Sequence, residues 1–140
     1  MVKINEKEIR MLCRYAIDEY PNECCGILLG SKKQRRVQKV YRAANAASAE
    51  RQKLHFLINP LELYRVEKEA AKSHMEIVGF YHSHADHPAV LSEEDQEFMI
   101  QDCLYMVVSV AKGTCKEIRC FMRANGSDGE YERKTAADWR

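Results

Sequence analysis

Three of the five histidines in this chain fall within one stretch, "YHSHADHPAVLSEED", residues 81 to 95. His82, His84 and His87 lie there among Asp86, Glu93, Glu94 and Asp95. Imidazole nitrogens and carboxylate oxygens are the donors that bind zinc at hydrolytic sites. In an extended chain, residues two apart share a face with Cα atoms ~6–7 Å apart, so His82 and His84 can present their rings to one ion. Asp95, reaching in from the first turn of a following helix, would add an oxygen. The fourth tetrahedral position is then left for water, which is the pattern of a catalytic site and not a structural one. The run "SEED", residues 92 to 95, also reads as a helix N-cap with acidic residues in the first turn, a role that needs no metal. Both roles can coexist if Ser92 starts the helix while Asp95 is aimed at the ion.

The elements that must position these groups follow from hydrophobic periodicity. Ile9, Leu12, Cys13, Ala16, Ile17 and Tyr20 recur at helical steps and predict an amphipathic helix from Glu6 to Tyr20, closed by Pro21. "ECCGILLGS" reads as a buried strand. "RRVQKVYRAAN" reads as a second, with Val37, Lys39 and Tyr41 opposed to Gln38, Val40 and Arg42, and a basic turn joins the two. A loop over residues 45 to 53 leads to a short strand, "LHFLI". Pro60 then suits the first position of a helix running to about His74, with Leu63, Val66 and Ala70 inward. "EIVGFYHSH" is apolar enough to be central in a sheet. A helix from Ser92 to about Asp102 precedes the strands "LYMVVSV" and "CKEIRCFMR", which are separated by a Lys-Gly turn. Residues 125 to 140 read as an irregular last strand and frayed end. The expected fold is a single α/β (α+β) domain over residues 1 to 140, a three-layer arrangement with helices packed on a sheet.

Composition narrows the function classes. Twenty-two Lys and Arg against twenty-one Asp and Glu give a net charge of +1, and no basic run exceeds "KKQRR", so no nucleic-acid partner is expected. The N-terminus lacks a secretory apolar region, and "LYMVVSVA" is too short to span a bilayer, which predicts a soluble cytoplasmic protein with no membrane partner. Six cysteines without any C-x-x-C pair read as small buried hydrophobes. Cys24 and Cys25 are expected to alternate between core and solvent.

Two zinc-hydrolase signatures can be laid over the histidine stretch. His82, His84, Asp86 and His87 satisfy an H-x-H-x-D-H pattern that resembles the metallo-β-lactamase superfamily, but that family needs further downstream histidines and none follows His87. The spacing H-S-H-x7-S-x2-D, met by His82, Ser83, His84, Ser92 and Asp95, resembles the JAMM motif of MPN-domain metalloproteases, also called Mov34 or JAB domains. The likeness spans nearly the whole chain, with "PNECCGILLG", "GFYHSH" and "SEEDQEFM" in the family's order. It implies a cytidine-deaminase-like three-layer fold with a mixed curved sheet, and one Zn2+ per chain on His82, His84 and Asp95 with a catalytic water. It selects Glu23 as general acid/base and Ser92 as hydrogen-bond donor to the oxyanion. Glu76 shares a strand with His82, but six residues at ~3.3 Å each put it roughly 20 Å away. Ser83 should face away from the ion. Where the family has proline after the second histidine, this chain has Ala85, with Pro88 three residues later. Asp86 and His87 lie outside the motif and are candidates to face substrate.

The small size resembles stand-alone prokaryotic members that act at the C-terminal tail of ubiquitin-like sulfur-carrier proteins. A narrow groove beside the metal would admit a slim Gly-Gly tail, held as an added strand. The expected partner is therefore a ubiquitin-like or sulfur-carrier protein tail, with room for a homodimer. The alternatives are a deubiquitinase-like isopeptidase and a non-catalytic MPN scaffold that binds a ubiquitin-like partner.

Overall fold

Among the described residues, nine elements follow one another: β1 (Lys3–Ile4), α1 (Glu6–Glu19), β2 (Cys25–Ser31), β3 (Arg36–Ala43), α2 (Pro60–Lys72), β4 (Glu76–Ala85), β5 (Leu104–Ala111), β6 (Thr114–Met122) and β7 (Glu130–Lys134). They belong to a computed structural model that describes residues 2–52, 57–93, 95, 100 and 102–122, together with the backbone of 130–134. The seven strands form one sheet in the order β1-β3-β2-β4-β5-β6-β7. Pairing is parallel for β1 with β3 and for β4 with β5, and antiparallel elsewhere, so the sheet is mixed. The strand bearing His82 and His84 is the middle one of the seven, as its apolar sequence predicts.

Alternation along β2 separates the two covered faces. Leu28 joins Ile9, Leu12 and Ala16 of α1 in the larger core, with Val37, Val40, Val78, Tyr81 and Val108. Ile27 and Leu29 pack instead with Val66 and Ala70 of α2, flanked by Leu63 and Phe80. One helix on each face makes the three layers that the helix and strand pattern implies. The α1 stripe is narrower than its periodicity suggests, since Ile17 is 39% exposed at its margin. Buried Glu8 lies on the same helix, where its carboxylate accepts the Val40 amide at 3.3 Å.

Several expectations need correction. The register of β2 against β3 shifts between Leu29 and Gly30, with Gly30 opposite Val37 and Leu29 opposite Lys39. Gln38 is the extra residue of this bulge, which breaks the strict alternation: Val37 and Val40 both enter the α1 core and Lys39 is exposed. Cys24 and Cys25 do not alternate between core and solvent; both are buried, because each face of the sheet has a helix over it. Glu130–Lys134 is a regular strand paired to β6, not an irregular one. The two-residue β1 has no sequence signal of its own. α2 ends at Lys72, and the positive φ of His74 turns the chain into β4. The strand expected at "LHFLI" falls largely on residues 53–56, outside the described residues. Most of the helix expected over 92–102 lies outside them too, although Glu93 and Asp95 are helical.

Close approach of β4 to β2 depends on Gly26. It stands opposite Tyr81, whose ring covers it and whose hydroxyl donates to the Tyr41 carbonyl at 3.1 Å. A Cβ at Gly26 would lie 2.1 Å from the Tyr41 carbonyl oxygen and 2.3 Å from the Tyr81 ring. Gly26→Ala is therefore expected to cost ~1–3 kcal/mol by overpacking, measured as a lower urea midpoint with an unchanged slope.

Candidate metal centre

The site is built where β2 begins and β4 ends. Cys25 stands opposite His82 in the antiparallel register. One step outward, the Ser83 amide donates to the Cys24 carbonyl at 3.0 Å, which sets Glu23 beside His84. Opposed residues on paired strands share a face, so Glu23, His82 and His84 all project to the side of the sheet that carries α2. All three are buried, and one ligand atom from each lies within 4.8 Å of the others, a grouping that could hold a metal ion.

His82 Nε2 and His84 Nε2 are 3.2 Å apart. Metal–nitrogen bonds of 2.0–2.1 Å in tetrahedral geometry place two such nitrogens about 3.3 Å apart, so the pair fits a shared ion. Asp95 is placed to offer a further donor, its Oδ2 lying 3.3 Å from His82 Nε2 and 3.7 Å from His84 Nε2. The same residue takes part in a capping box: the Ser92 amide donates to Asp95 Oδ2 and the Asp95 amide to Ser92 Oγ, both at 3.0 Å. Cap and candidate ligand are thus one carboxylate.

The tautomer of His84 follows from its neighbour. A carbonyl can only accept, so the 2.8 Å contact between His84 Nδ1 and the Pro88 carbonyl puts the proton on Nδ1 and leaves the Nε2 lone pair for a metal. His87 stacks on the His84 ring, with centroids 4.1 Å apart and planes at 22°. Its own loop is anchored from outside, since Ser109 Oγ donates to the His87 carbonyl at 2.7 Å and the Ala89 amide to Glu117 Oε1 at 3.0 Å.

Electrostatics match this packing. Burial lowers the affinity of His82 for a proton, so the ring is held neutral. Burial also opposes protonation of His84, but the hydrogen bonds to Asp95 and the Pro88 carbonyl outweigh it and raise its pKa. Asp95 is held well below the usual carboxylate range: desolvation pushes upward, and the His82 and His84 contacts more than reverse it.

Asp86, with φ +62, lies in the turn after β4. Its carboxylate accepts the Tyr20 hydroxyl at 2.6 Å and the Lys112 amide at 3.2 Å, and its amide donates to the Val110 carbonyl at 2.7 Å. The turn is thereby tied to the end of α1 and to the β5–β6 turn. Glu76 is at the opposite end of β4, where it accepts the Lys32 amide.

Sequence reasoning missed the residues that hold Glu23. Its amide donates to the Gln52 carbonyl at 2.6 Å, and Asn45 Nδ2 donates to its carbonyl at 3.2 Å. Gln52 Nε2 in turn donates to the Asn45 and Ala47 carbonyls, folding the loop onto itself. Each contact has a backbone group on at least one side, and the Asn45 and Gln52 side-chain amides find theirs only once the loop folds back, so the sequence alone did not mark them.

Comparison with known proteins points the same way. A family model described as prokaryotic homologs of the JAB domain matches residues 6–123, a span that includes Glu23, His82, His84, Ser92 and Asp95. A desampylase of Pyrococcus furiosus is 32% identical over 94 residues, 67% of this chain and 64% of that protein. The alignment thus spans less than two thirds of the relative. Among solved structures, a protein of Desulfitobacterium hafniense superposes with a TM-score of 0.80 at 24% identity, covering 95% of this chain and 90% of that one. A JAB1/MPN domain protein of Archaeoglobus fulgidus gives 0.59 at 19% identity, covering 96% and 97%. These two likenesses show the fold.

Cys24 and Cys25 adjoin the site, and burial pushes their thiols up to about 11 and about 12. At pH 8 each should react with a disulfide reagent about a hundredfold more slowly in the native protein than after unfolding, because only the thiolate attacks. Timed alkylation with peptide mass mapping reads this directly.

Proposed function

Because this chain belongs to the prokaryotic homologs of the JAB domain, we propose that it is a zinc-dependent metallopeptidase, hydrolysing the peptide or isopeptide bond after the C-terminal Gly-Gly of a ubiquitin-like, sulfur-carrier type protein. The observation that carries this reading is the convergence of His82 Nε2, His84 Nε2 and Asp95 Oδ2 at 3.2 to 3.7 Å, with Glu23 buried on the same face. The likeness to a desampylase supports a hydrolase acting on conjugates of a small protein modifier.

In this reading His82, His84 and Asp95 hold the ion, which when bound supplies Lewis acidity toward water and the substrate carbonyl. The Pro88 carbonyl fixes the donor tautomer of His84, and the capping box fixes the approach of Asp95. Glu23 takes the proton of the attacking water and passes it to the leaving nitrogen. Its buried position beside the two imidazoles suits a proton carrier that must not wander. Ser92 Oγ accepts the Asp95 amide, so its own hydroxyl proton can be given to the oxygen of the tetrahedral intermediate. Asp86 serves as a strut for the turn behind the site, and His87 braces the His84 ring. A Gly-Gly tail suits a site whose Glu23, His82 and His84 are all buried, because a tail without side chains needs the least room.

The purified protein is expected to carry one zinc per chain. Glu23→Gln should keep that metal while turnover falls ~10²–10⁴-fold, the usual share of a general acid/base. His84→Ala should lose the metal. Substrates for the assay are ubiquitin-like carriers ending in Gly-Gly, extended by cysteine or a short peptide or joined to a lysine amine, followed by intact mass. Absence of stoichiometric zinc together with absence of turnover would overturn the assignment in favour of a binding scaffold, and undiminished turnover in Glu23→Gln would overturn the role given to Glu23.

A further inference from the structure

The base lies just before β2 and the two histidine ligands lie on β4, so something must fix one against the other. The last regular β2–β4 pair is Cys25 with His82. Beyond it, the pair Cys24 and Ser83 closes in an unusual way. The Ser83 amide donates to the Cys24 carbonyl at 3.0 Å, as a ladder requires. The return bond does not go to the Ser83 carbonyl: the Cys24 amide donates to Ser83 Oγ at 2.7 Å. A side chain thus replaces one backbone group in the final rung.

Both residues are 2% exposed, so this amide has no water to fall back on. Alternation sends His82 and His84 to the metal face and Ser83 to the α1 face, where Cys24 packs in the core. Cys24 is adjacent in sequence to Glu23. On its other side Glu23 is gripped through its amide by Gln52 and through its carbonyl by Asn45. The chain at Glu23 therefore leaves the ladder while remaining held at both ends, by the loop and by the Ser83 hydroxyl.

We infer that Ser83 is a positioning residue: its hydroxyl, by receiving the Cys24 amide, sets the distance between the Glu23 carboxylate and the ion held by His82 and His84. This rests on the zinc peptidase reading. Loss of the hydroxyl lets the start of β2 drift from the end of β4, while both histidines keep their places on β4. The consequence is a slower chemical step with the metal still bound.

Ser83→Thr and Ser83→Val differ only by hydroxyl against methyl at a similar shape, and Ser83→Ala replaces Val if that variant does not fold. In metal-free protein, hydrogen exchange at the Cys24 amide should be about tenfold faster in Val than in Thr, as expected for loss of one buried hydrogen bond. In zinc-loaded protein kcat should fall about 10–100-fold in Val, with KM within about threefold and zinc stoichiometry unchanged, and Thr should restore it. Equal exchange rates in Thr and Val would overturn the inference, as would a fall in kcat that follows loss of zinc. If the wild type turns over no carrier, the peptidase reading fails, and the exchange rates still decide whether the hydroxyl holds Cys24.

Discussion

The antiparallel pairing of β2 with β4 is the constraint on which everything else depends. It alone brings Glu23, from the first quarter of the chain, beside histidines some sixty residues later. A one-residue slip would turn Glu23 to the α1 face and bury a carboxylate among Leu12, Leu28 and Tyr81. Register is accordingly enforced from several sides. Gly26 admits the Tyr81 ring, Tyr81 reaches the Tyr41 carbonyl, and both faces of the sheet are closed by helices. The core is therefore the instrument that measures out the site.

The parts of this arrangement that run along the chain were legible in the sequence. The spacing of His82 and His84, the cap at Ser92 and Asp95, and the stripes of α1 and α2 are local patterns with periods of two or of about 3.6, and each appears where those periods place it. What joins distant segments was not legible. Glu23 looks like any glutamate at a strand end until β4 is laid beside it, and only a family resemblance singled it out. Gln52 and Pro88 act through their carbonyls, which every residue carries, and the Asn45 side chain meets the Glu23 carbonyl only once the loop folds back. The bulge at Gln38 was invisible because Lys39 and Tyr41 satisfy an alternating pattern on paper, and only the partner strand reveals the extra residue.

The turn after β4 lacks the proline expected from the JAMM resemblance, and its hydrogen bonds supply a restraint of another kind. A proline after the second histidine would stiffen the turn through its ring. Here Ala85 stands there, and rigidity comes from partners: Asp86 holds Tyr20 and Lys112, Ser109 holds the His87 carbonyl, and Glu117 holds the Ala89 amide. In place of the covalent restraint of a ring stand four hydrogen bonds, to the end of α1, the β5–β6 turn, β5 and β6.

Asp95 stands both in the helix cap and beside the two histidines. Its carboxylate has an occupation in the helix cap that does not require an ion, and the His84 ring is oriented by a carbonyl and a stacked neighbour in the same way. Small zinc modules that depend on their metal for folding must assemble their donors and capture the ion together. Here the Asp95 carboxylate is also held by the Ser92 amide, and the His84 ring by the Pro88 carbonyl and the His87 ring, so protein groups share the work of placing these side chains.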